Sequence, residues 1–65
     1  MIKTVVRCKD NSVMAFDENG ELLPLYLGSY NTVKASIIED SRPGTVFSHY
    51  FDNEAMLIET PLEAW

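Results

Sequence analysis

The sequence contains a single cysteine, Cys8, and a single histidine, His49, which are the residue types of a nucleophilic pair or a transition-metal site. A thiolate beside an imidazole is a nucleophilic pair, and the neighbouring Arg7 and Lys9 could favour the thiolate form of Cys8. A metal site would require His49 to join carboxylates from distant segments. Neither arrangement follows from the spacing, so we interpret Cys8 as a small buried hydrophobe and His49 as a half-buried strand residue. The sequence predicts no catalytic, metal or cofactor site, and a thiol-dependent enzyme is kept as a remote alternative.

The acidic stretch at residues 17–21 is the next candidate, because carboxylates beside a glycine are typical of calcium loops. An EF-hand loop places glycine sixth and glutamate twelfth. Counted from Asp17, the fourth residue here is Gly20 and the twelfth is Gly28. We therefore interpret the stretch as a hairpin turn. Gly20, Gly28 and Gly44 are too scattered for a phosphate-binding loop.

The basic residues are concentrated at the start of the sequence. Residues 1–9 contain Lys3, Arg7 and Lys9 and no acid, whereas residues 10–65 contain two bases and ten acids, so the two parts carry +3 and −8. Bases on the outward face of a strand are typical of an edge strand protected from aggregation. The alternative is an anion-binding surface, which would make the protein a small-ligand or anion sensor. The net charge of −5 argues against nucleic acid as a partner. Contacts to the phosphates supply most of the affinity of a protein for nucleic acid, and the phosphates repel an acidic protein.

Apolar side chains crowd a short segment around Pro24, the leucine segment (residues 22–27), and the C-terminal part of the sequence. Contiguous exposed apolar surface that includes tyrosine or tryptophan is typical of a protein interface. The sequence predicts such an interface from six residues: Leu22, Leu23, Leu25, Tyr26, Leu27 and Trp65. The alternative is that the leucine segment folds over the open end of the core.

The length of 65 residues allows one small domain, 1–65, which buries roughly 60% of the surface of its unfolded chain. A core of this size without disulfides or metal either packs very well or is supported by a partner, so we expect a protein partner or a homo-oligomer. The early bases Lys3 and Arg7 do not fit a signal peptide, and no apolar run reaches the roughly 18 residues that span a bilayer. We expect a soluble cytoplasmic protein without a membrane partner.

Alternating β-branched residues predict a first strand over residues 2–8. Its inward face is predicted to carry Ile2, Thr4, Val6 and Cys8. The turn formers at residues 10–12 connect this strand to a second strand at residues 13–16. A turn at Asn19 and Gly20 then leads into a short third strand at residues 21–23, which Pro24 ends.

The second half of the sequence predicts one helix and two strands. An apolar stripe of Tyr30, Val33, Ile37 and Ile38 indicates a helix, capped by Ser29 or Asn31 and ended by residues 42–44. Strands are predicted at residues 45–51 and 56–58, and a capping box from Thr60, with Pro61 at the first helical position, predicts a closing turn at Trp65. The order β-β-(β)-α-β-(β) indicates an α+β fold, in which one helix covers one face of a three- to four-stranded, mainly antiparallel sheet.

Three short patterns carry a resemblance to known proteins: Phe16-Asp17-x-x-Gly20-x-x-x-Pro24, Gly28-x-Tyr30 at the helix start, and Glu63-x-Trp65. Together they resemble a set of small uncharacterised prokaryotic proteins, over about the middle third of the chain and its last residues. The resemblance implies an α+β fold and adds no activity. The function predicted is a protein-binding or self-associating module without catalytic activity.

Overall fold

Five short strands and one α-helix are present in the residues that the structure, a computed structural model, describes, which are 1–50 and 57–65. The strands are β1 (Thr4–Arg7), β2 (Ser12–Phe16), β3 (Gly28–Ser29), β4 (Val46–Tyr50) and β5 (Leu57–Glu59), and the helix α1 spans Tyr30–Asp40. Two 3₁₀ turns, Pro24–Tyr26 and Leu62–Ala64, complete the described elements. The predicted α+β class with one helix is confirmed. No helix in these residues is long and apolar enough to cross a bilayer.

The strand β1 lies at the centre of the sheet, whose strand order is β3-β2-β1-β4-β5. It pairs antiparallel with β2 and parallel with β4, while the pairs β2–β3 and β4–β5 are antiparallel. The sheet is therefore mixed and has five strands, where the sequence predicted three to four. Parallel neighbours cannot be joined by a tight hairpin. The chain between β2 and β4 instead crosses the sheet and carries α1 onto one face.

The turn between β1 and β2 is held by Asp10, as its turn-forming sequence predicted. The Asp10 Oδ1 accepts hydrogen bonds from the Ser12 hydroxyl at 2.6 Å and from the Ser12 main-chain nitrogen at 3.0 Å. These two bonds favour the charged carboxylate and lower the pKa of Asp10 from its ordinary value. Asn11 adopts a positive φ of 70°, a conformation that asparagine tolerates better than most residues.

The core lies between α1 and one face of the sheet. Val5 pairs in register with Ala15 on β2 and with Phe47 on β4, and side chains at paired positions share a face of the sheet. The buried residues of this core cluster are Ile2, Val5, Val13, Ala15, Val33, Ile37, Phe47 and Trp65. The helix therefore covers the face of β1 that carries Val5.

The prediction of which face of the first strand points into the core is wrong. Val5 is fully buried beneath α1, whereas Val6 is buried on the opposite face, and Thr4 and Cys8 are only half-buried. Ile2 does reach the core, but it precedes β1, so the alternation of the strand does not extend to it. A central strand carries apolar residues on both faces, and alternation alone does not indicate which face the helix covers.

The leucine segment differs from the predicted third strand. Leu22 makes only an isolated bridge to Phe16, and Pro24 begins a 3₁₀ turn. The third strand is Gly28–Ser29, which the sequence analysis did not predict. A Cβ atom at Gly28 would lie 3.2 Å from Val33 Cγ1, so the absence of a side chain there allows β3 to lie close to α1.

The remaining boundaries follow the sequence with one correction. Ser29 is the N-cap residue of α1, but its side chain makes no capping hydrogen bond to the helix backbone, and its hydroxyl lies 2.8 Å from the Thr32 hydroxyl. The capping box predicted from Thr60 is not formed. Thr60 Oγ1 instead donates to Ile58 O, and the N-cap residue of the closing turn is Pro61. The strands β4 and β5 confirm the strand predictions within the described residues. The predicted strand positions Phe51 and Met56 lie outside those residues.

Adjacent isoleucines in α1 provide a test of the face that the helix buries. Ile37 is fully buried at 0% exposure, whereas Ile38 is 36% exposed. We expect Ile37→Ala to lower the free energy of unfolding by about 2–5 kcal/mol, because the substitution leaves a cavity. The matched change Ile38→Ala should alter it by less than about 0.5 kcal/mol. Urea unfolding followed by Trp65 fluorescence measures both values, and equal losses would contradict the assigned helix face.

Candidate functional site

Trp65 is a core residue with 2% exposure. Its ring centroid lies 5.0 Å from that of Phe47 and 5.3 Å, edge to face, from that of Tyr30. The indole Nε1 donates a hydrogen bond to Ser48 O at 3.0 Å, which satisfies its single polar atom. The prediction that Trp65 belongs to an exposed interface is therefore wrong, because its indole fills the core between β4 and the start of α1.

Arg7 contacts both Trp65 and its neighbour Tyr30. Its guanidinium lies 3.6 Å from the ring centroid of Tyr30, in cation–π geometry. Its Nη1 donates to the main-chain oxygen of Trp65 at 2.7 Å, and its Nε donates to Asn11 Oδ1 at 2.7 Å. Arg7 thus links β1, the hairpin turn, α1 and the last residue of the chain. These contacts assign Arg7 a structural role.

The three bases at the start of the chain do not form one surface. Lys3 and Lys9 lie beyond opposite ends of β1, roughly 20 Å apart along an extended strand. Lys3 Nζ approaches Gly44 O at 3.5 Å, while Lys9 is exposed in the hairpin turn. The edge-strand interpretation is wrong, since β1 is the central strand. The structure does not bring Lys3, Arg7 and Lys9 together as an anion site.

Cys8 and His49 are placed on different faces of the sheet. Cys8 is half-buried and lines an open cleft with Tyr50. His49 is paired in register with Arg7 and is adjacent to Tyr50 on β4, and successive strand residues point to opposite faces. This arrangement does not form a thiol–imidazole pair. The described residues also contain no group of three or more His, Cys, Asp or Glu side chains that could hold a metal ion.

The leucine segment divides into exposed and anchored residues. Leu25 is 79% exposed, Leu27 is 52% exposed and Leu22 is 41% exposed. Leu23 and Tyr26 are half-buried and pack against the core. The alternative that the segment folds over the core therefore applies to these two residues. The other three leucines face solvent from a segment that the core holds in place.

A groove of about 390 Å³ lies beside Leu25. We call it the Leu25 groove, and its lining residues are Met1, Ile2, Leu23, Pro24, Leu25, Tyr26, Asp40 and Arg42. The Tyr26 hydroxyl donates to Asp40 Oδ2 at 2.6 Å, and Arg42 Nη1 donates to the main-chain oxygens of Asp40 and Ser41. The groove is thus mainly apolar, with the Asp40 carboxylate and the Arg42 guanidinium among its lining side chains. The N-terminal ammonium of Met1 is paired with Glu18 Oε1 at 3.5 Å.

The interface predicted from the sequence lacks the four groove residues that lie outside the leucine segment, which are Met1, Ile2, Asp40 and Arg42. Their place in the groove depends on the chain folding back, since Asp40 lies 14 residues from its hydrogen-bond partner Tyr26. The one available signal was the position of Asp40 and Arg42 around the predicted end of the helix. That signal indicates where α1 ends but gives no information about what lies beside it.

A second cleft, of about 560 Å³, lies between residues 41–45 and 59–62. Its hydroxyl groups donate to main-chain oxygens of the protein. Ser41 Oγ donates to Ile38 O, Thr45 Oγ1 to Ile2 O, and Thr60 Oγ1 to Ile58 O. These groups stabilise the surrounding loops, so the cleft is a weaker candidate for a binding site than the Leu25 groove.

Comparison of the chain with protein-family models, with curated proteins and with solved structures finds no match. The resemblance to small prokaryotic proteins therefore stays a prediction.

The role of Arg7 can be tested by comparison with Lys3. We expect Arg7→Lys to lower the free energy of unfolding by about 1–3 kcal/mol, because lysine cannot reproduce the stacking and the two directed hydrogen bonds. Lys3→Met removes an exposed base and should change it by less than about 0.5 kcal/mol. Thermal unfolding of both variants provides the measurement. If Arg7→Lys is as stable as the wild-type protein, the structural role of Arg7 is refuted.

The bond between Tyr26 and Asp40 predicts an altered tyrosine titration. The hydrogen bond to the Asp40 carboxylate raises the pKa of Tyr26 above its ordinary value of 10.0, with smaller contributions from burial and from the negative charge of Asp40, while Arg42 opposes the shift. Because this pKa is raised in the folded state, the bond stabilises the protein below the ordinary pKa and is lost as the pH rises through the folded value.

We expect Asp40→Ala to bring the pKa of Tyr26 back towards its ordinary value in an alkaline NMR titration. Glu39→Ala is the control, since it removes a neighbouring carboxylate without removing the hydrogen bond. A Tyr26 pKa that is the same in the wild-type protein and in Asp40→Ala would show that the bond is not formed in solution.

Proposed function

We propose that the protein is a protein-binding or self-associating module that acts through the Leu25 groove and has no catalytic activity. One observation carries the proposal. Leu25 is 79% exposed and lies beside an apolar groove, on a segment whose neighbours Leu23 and Tyr26 pack against the core. A large apolar side chain is thus presented to solvent in a fixed position.

Two features of the leucine segment favour binding, which are the burial of its exposed leucines in a complex and its anchoring to the core. Covering an exposed leucine stabilises a complex by about 1.5–3 kcal/mol. A segment already held by the core loses little conformational entropy on binding, so more of this gain is retained. Single exposed leucines are ordinary on protein surfaces. Leu22, Leu25 and Leu27 are instead three exposed leucines within six residues, which supports an interface.

Core size does not by itself require a partner. The accessible surface of the chain is 4295 Å², and a monomer of this mass is expected to expose about 4,200 Å². The chain thus buries the share of surface that is usual for its size. The proposal therefore depends on the placement of the exposed leucines and not on a deficient core.

The net charge and the single cysteine support the proposed type of partner and the proposed location. A net charge of −5 disfavours nucleic acid, so the partner that we propose is a protein. A single free cysteine is typical of a reducing compartment, which supports the cytoplasm as the location. An anion sensor that uses Lys3, Arg7 and Lys9 is not supported by their separation.

Affinity capture with matched variants tests the proposal. Wild-type protein, Leu25→Asn and Leu62→Asn are immobilised and exposed to an extract of the cells that produce the protein. Leu62 is the control because it is 41% exposed and lines the second cleft. We expect the proteins retained by the wild-type chain to be retained by Leu62→Asn and reduced about tenfold or more by Leu25→Asn. Equal retention by all three would contradict the proposal.

A further inference from the structure

We propose that the occupant of the Leu25 groove is a second copy of this chain, so that two copies form a twofold-symmetric dimer. This inference rests on the function proposed above and specifies its partner. It is argued from the charges and the apolar side chains of the groove.

The charges of the groove are complementary to themselves. In a twofold interface, if residue i contacts residue j of the other copy, then j also contacts i. Asp40 and Arg42 both line the groove and carry opposite charges. A twofold axis beside them places each Asp40 carboxylate opposite the other copy's Arg42 guanidinium, so that one arrangement forms two ion pairs.

The described contacts of these two side chains leave their charges available for such pairing. The Asp40 carboxylate accepts a hydrogen bond from the neutral Tyr26 hydroxyl. The Arg42 guanidinium donates from Nη1 to main-chain oxygens. Both contacts hold the side chains at the groove while involving only neutral partners.

The same charges give no preference for a uniformly basic or acidic partner. The Met1 ammonium is paired with Glu18, which leaves one acid, Asp40, and one base, Arg42. A partner segment of a single charge sign is attracted by one of them and repelled by the other, whereas a second copy offers a base to Asp40 and an acid to Arg42. The net charge of −5 opposes association of two copies. Charges separated by more than about 8 Å are largely screened at physiological ionic strength, so the contacts at the groove decide the outcome.

The apolar part of the interface is supplied by Met1 and Leu25, which are 70% and 79% exposed. In the symmetric arrangement each Leu25 enters the groove of the other copy. Only a few large side chains are covered, so the interface is smaller than the roughly 800 Å² per partner of a standard complex. The gain from burial is then similar to the cost of association, and we expect a dissociation constant of roughly 10 µM to 1 mM.

Sedimentation velocity over a concentration series tests the dimer directly. The wild-type chain should pass from monomer to dimer between roughly 10 µM and 1 mM. Leu25→Asn should raise the dissociation constant about tenfold or more. Leu62→Asn, which changes an exposed leucine of the second cleft, should leave it unchanged. Because Leu25 is exposed, its substitution does not disturb the core, and thermal unfolding of each variant checks that the fold is intact.

Charge reversal tests the pairing of Asp40 with Arg42. Asp40→Arg and Arg42→Asp should each weaken self-association, because each places like charges across the twofold axis. An equimolar mixture of the two single variants places two bases opposite two acids, and we expect it to form mixed dimers with an affinity within about threefold of the wild-type value. Failure of the mixture to associate, with both variants folded, would overturn the proposed pairing.

The results separate this inference from the proposed function. A wild-type chain that stays monomeric up to 1 mM would overturn the dimer. If Leu25→Asn still reduced the capture of another protein, the proposed function would stand with a different partner. If neither association nor capture depended on Leu25, both proposals would be refuted. A dimer unaffected by Leu25→Asn would overturn the assigned interface.

Discussion

The parallel pairing of β1 with β4 is the constraint on which the rest of the structure depends. Parallel neighbours cannot be joined by a tight turn, so the chain leaves β2, passes through the leucine segment and β3, and returns to β4 through α1. This crossover places Val33 and Ile37 over the buried face of the sheet. The same crossover contains the leucine segment, in which Leu23 N donates to Ala15 O at 2.8 Å and Leu23 and Tyr26 pack against the core. Leu22, Leu25 and Leu27 face solvent from this segment.

The contacts of Arg7 and Trp65 hold the opposite side of the domain. Trp65 reaches from the closing 3₁₀ turn into the core, and Arg7 binds its main-chain oxygen from the end of β1, 58 residues away. Tyr30 lies against both side chains. One cation and two aromatic rings therefore connect the first strand, the helix and the end of the chain. Arg7, one of the three bases that indicated a protected edge strand or an anion-binding surface, instead stabilises the fold.

The parts of the fold that were predicted correctly are those determined by residues close together in the sequence. The Asp10 turn, the helix α1 and the strand β4 depend on neighbouring residues, so their sequences indicated them. The parallel pair was not predicted, because it joins segments that are distant in sequence. The buried face of β1 was assigned wrongly because Thr4, Val5 and Val6 suit either face of a central strand. Exposure of the leucine segment was one of two open alternatives, and the structure divides the segment, with Leu25 exposed and Leu23 packed against the core. Tryptophan is common in cores and in interfaces, so its residue type did not place Trp65. Its burial depends on the distant acceptor Ser48 O.

The Leu25 groove is the proposed docking surface for a second copy of the chain. A series of amide ¹H–¹⁵N NMR spectra recorded from roughly 10 µM to 1 mM protein tests it at individual residues. If the groove binds a second copy, the amides of Leu23, Leu25 and Asp40 shift together with increasing concentration, while those of the closing turn Leu62–Ala64 do not. Spectra that are unchanged over this range, or shifts confined to residues away from the groove, would contradict it.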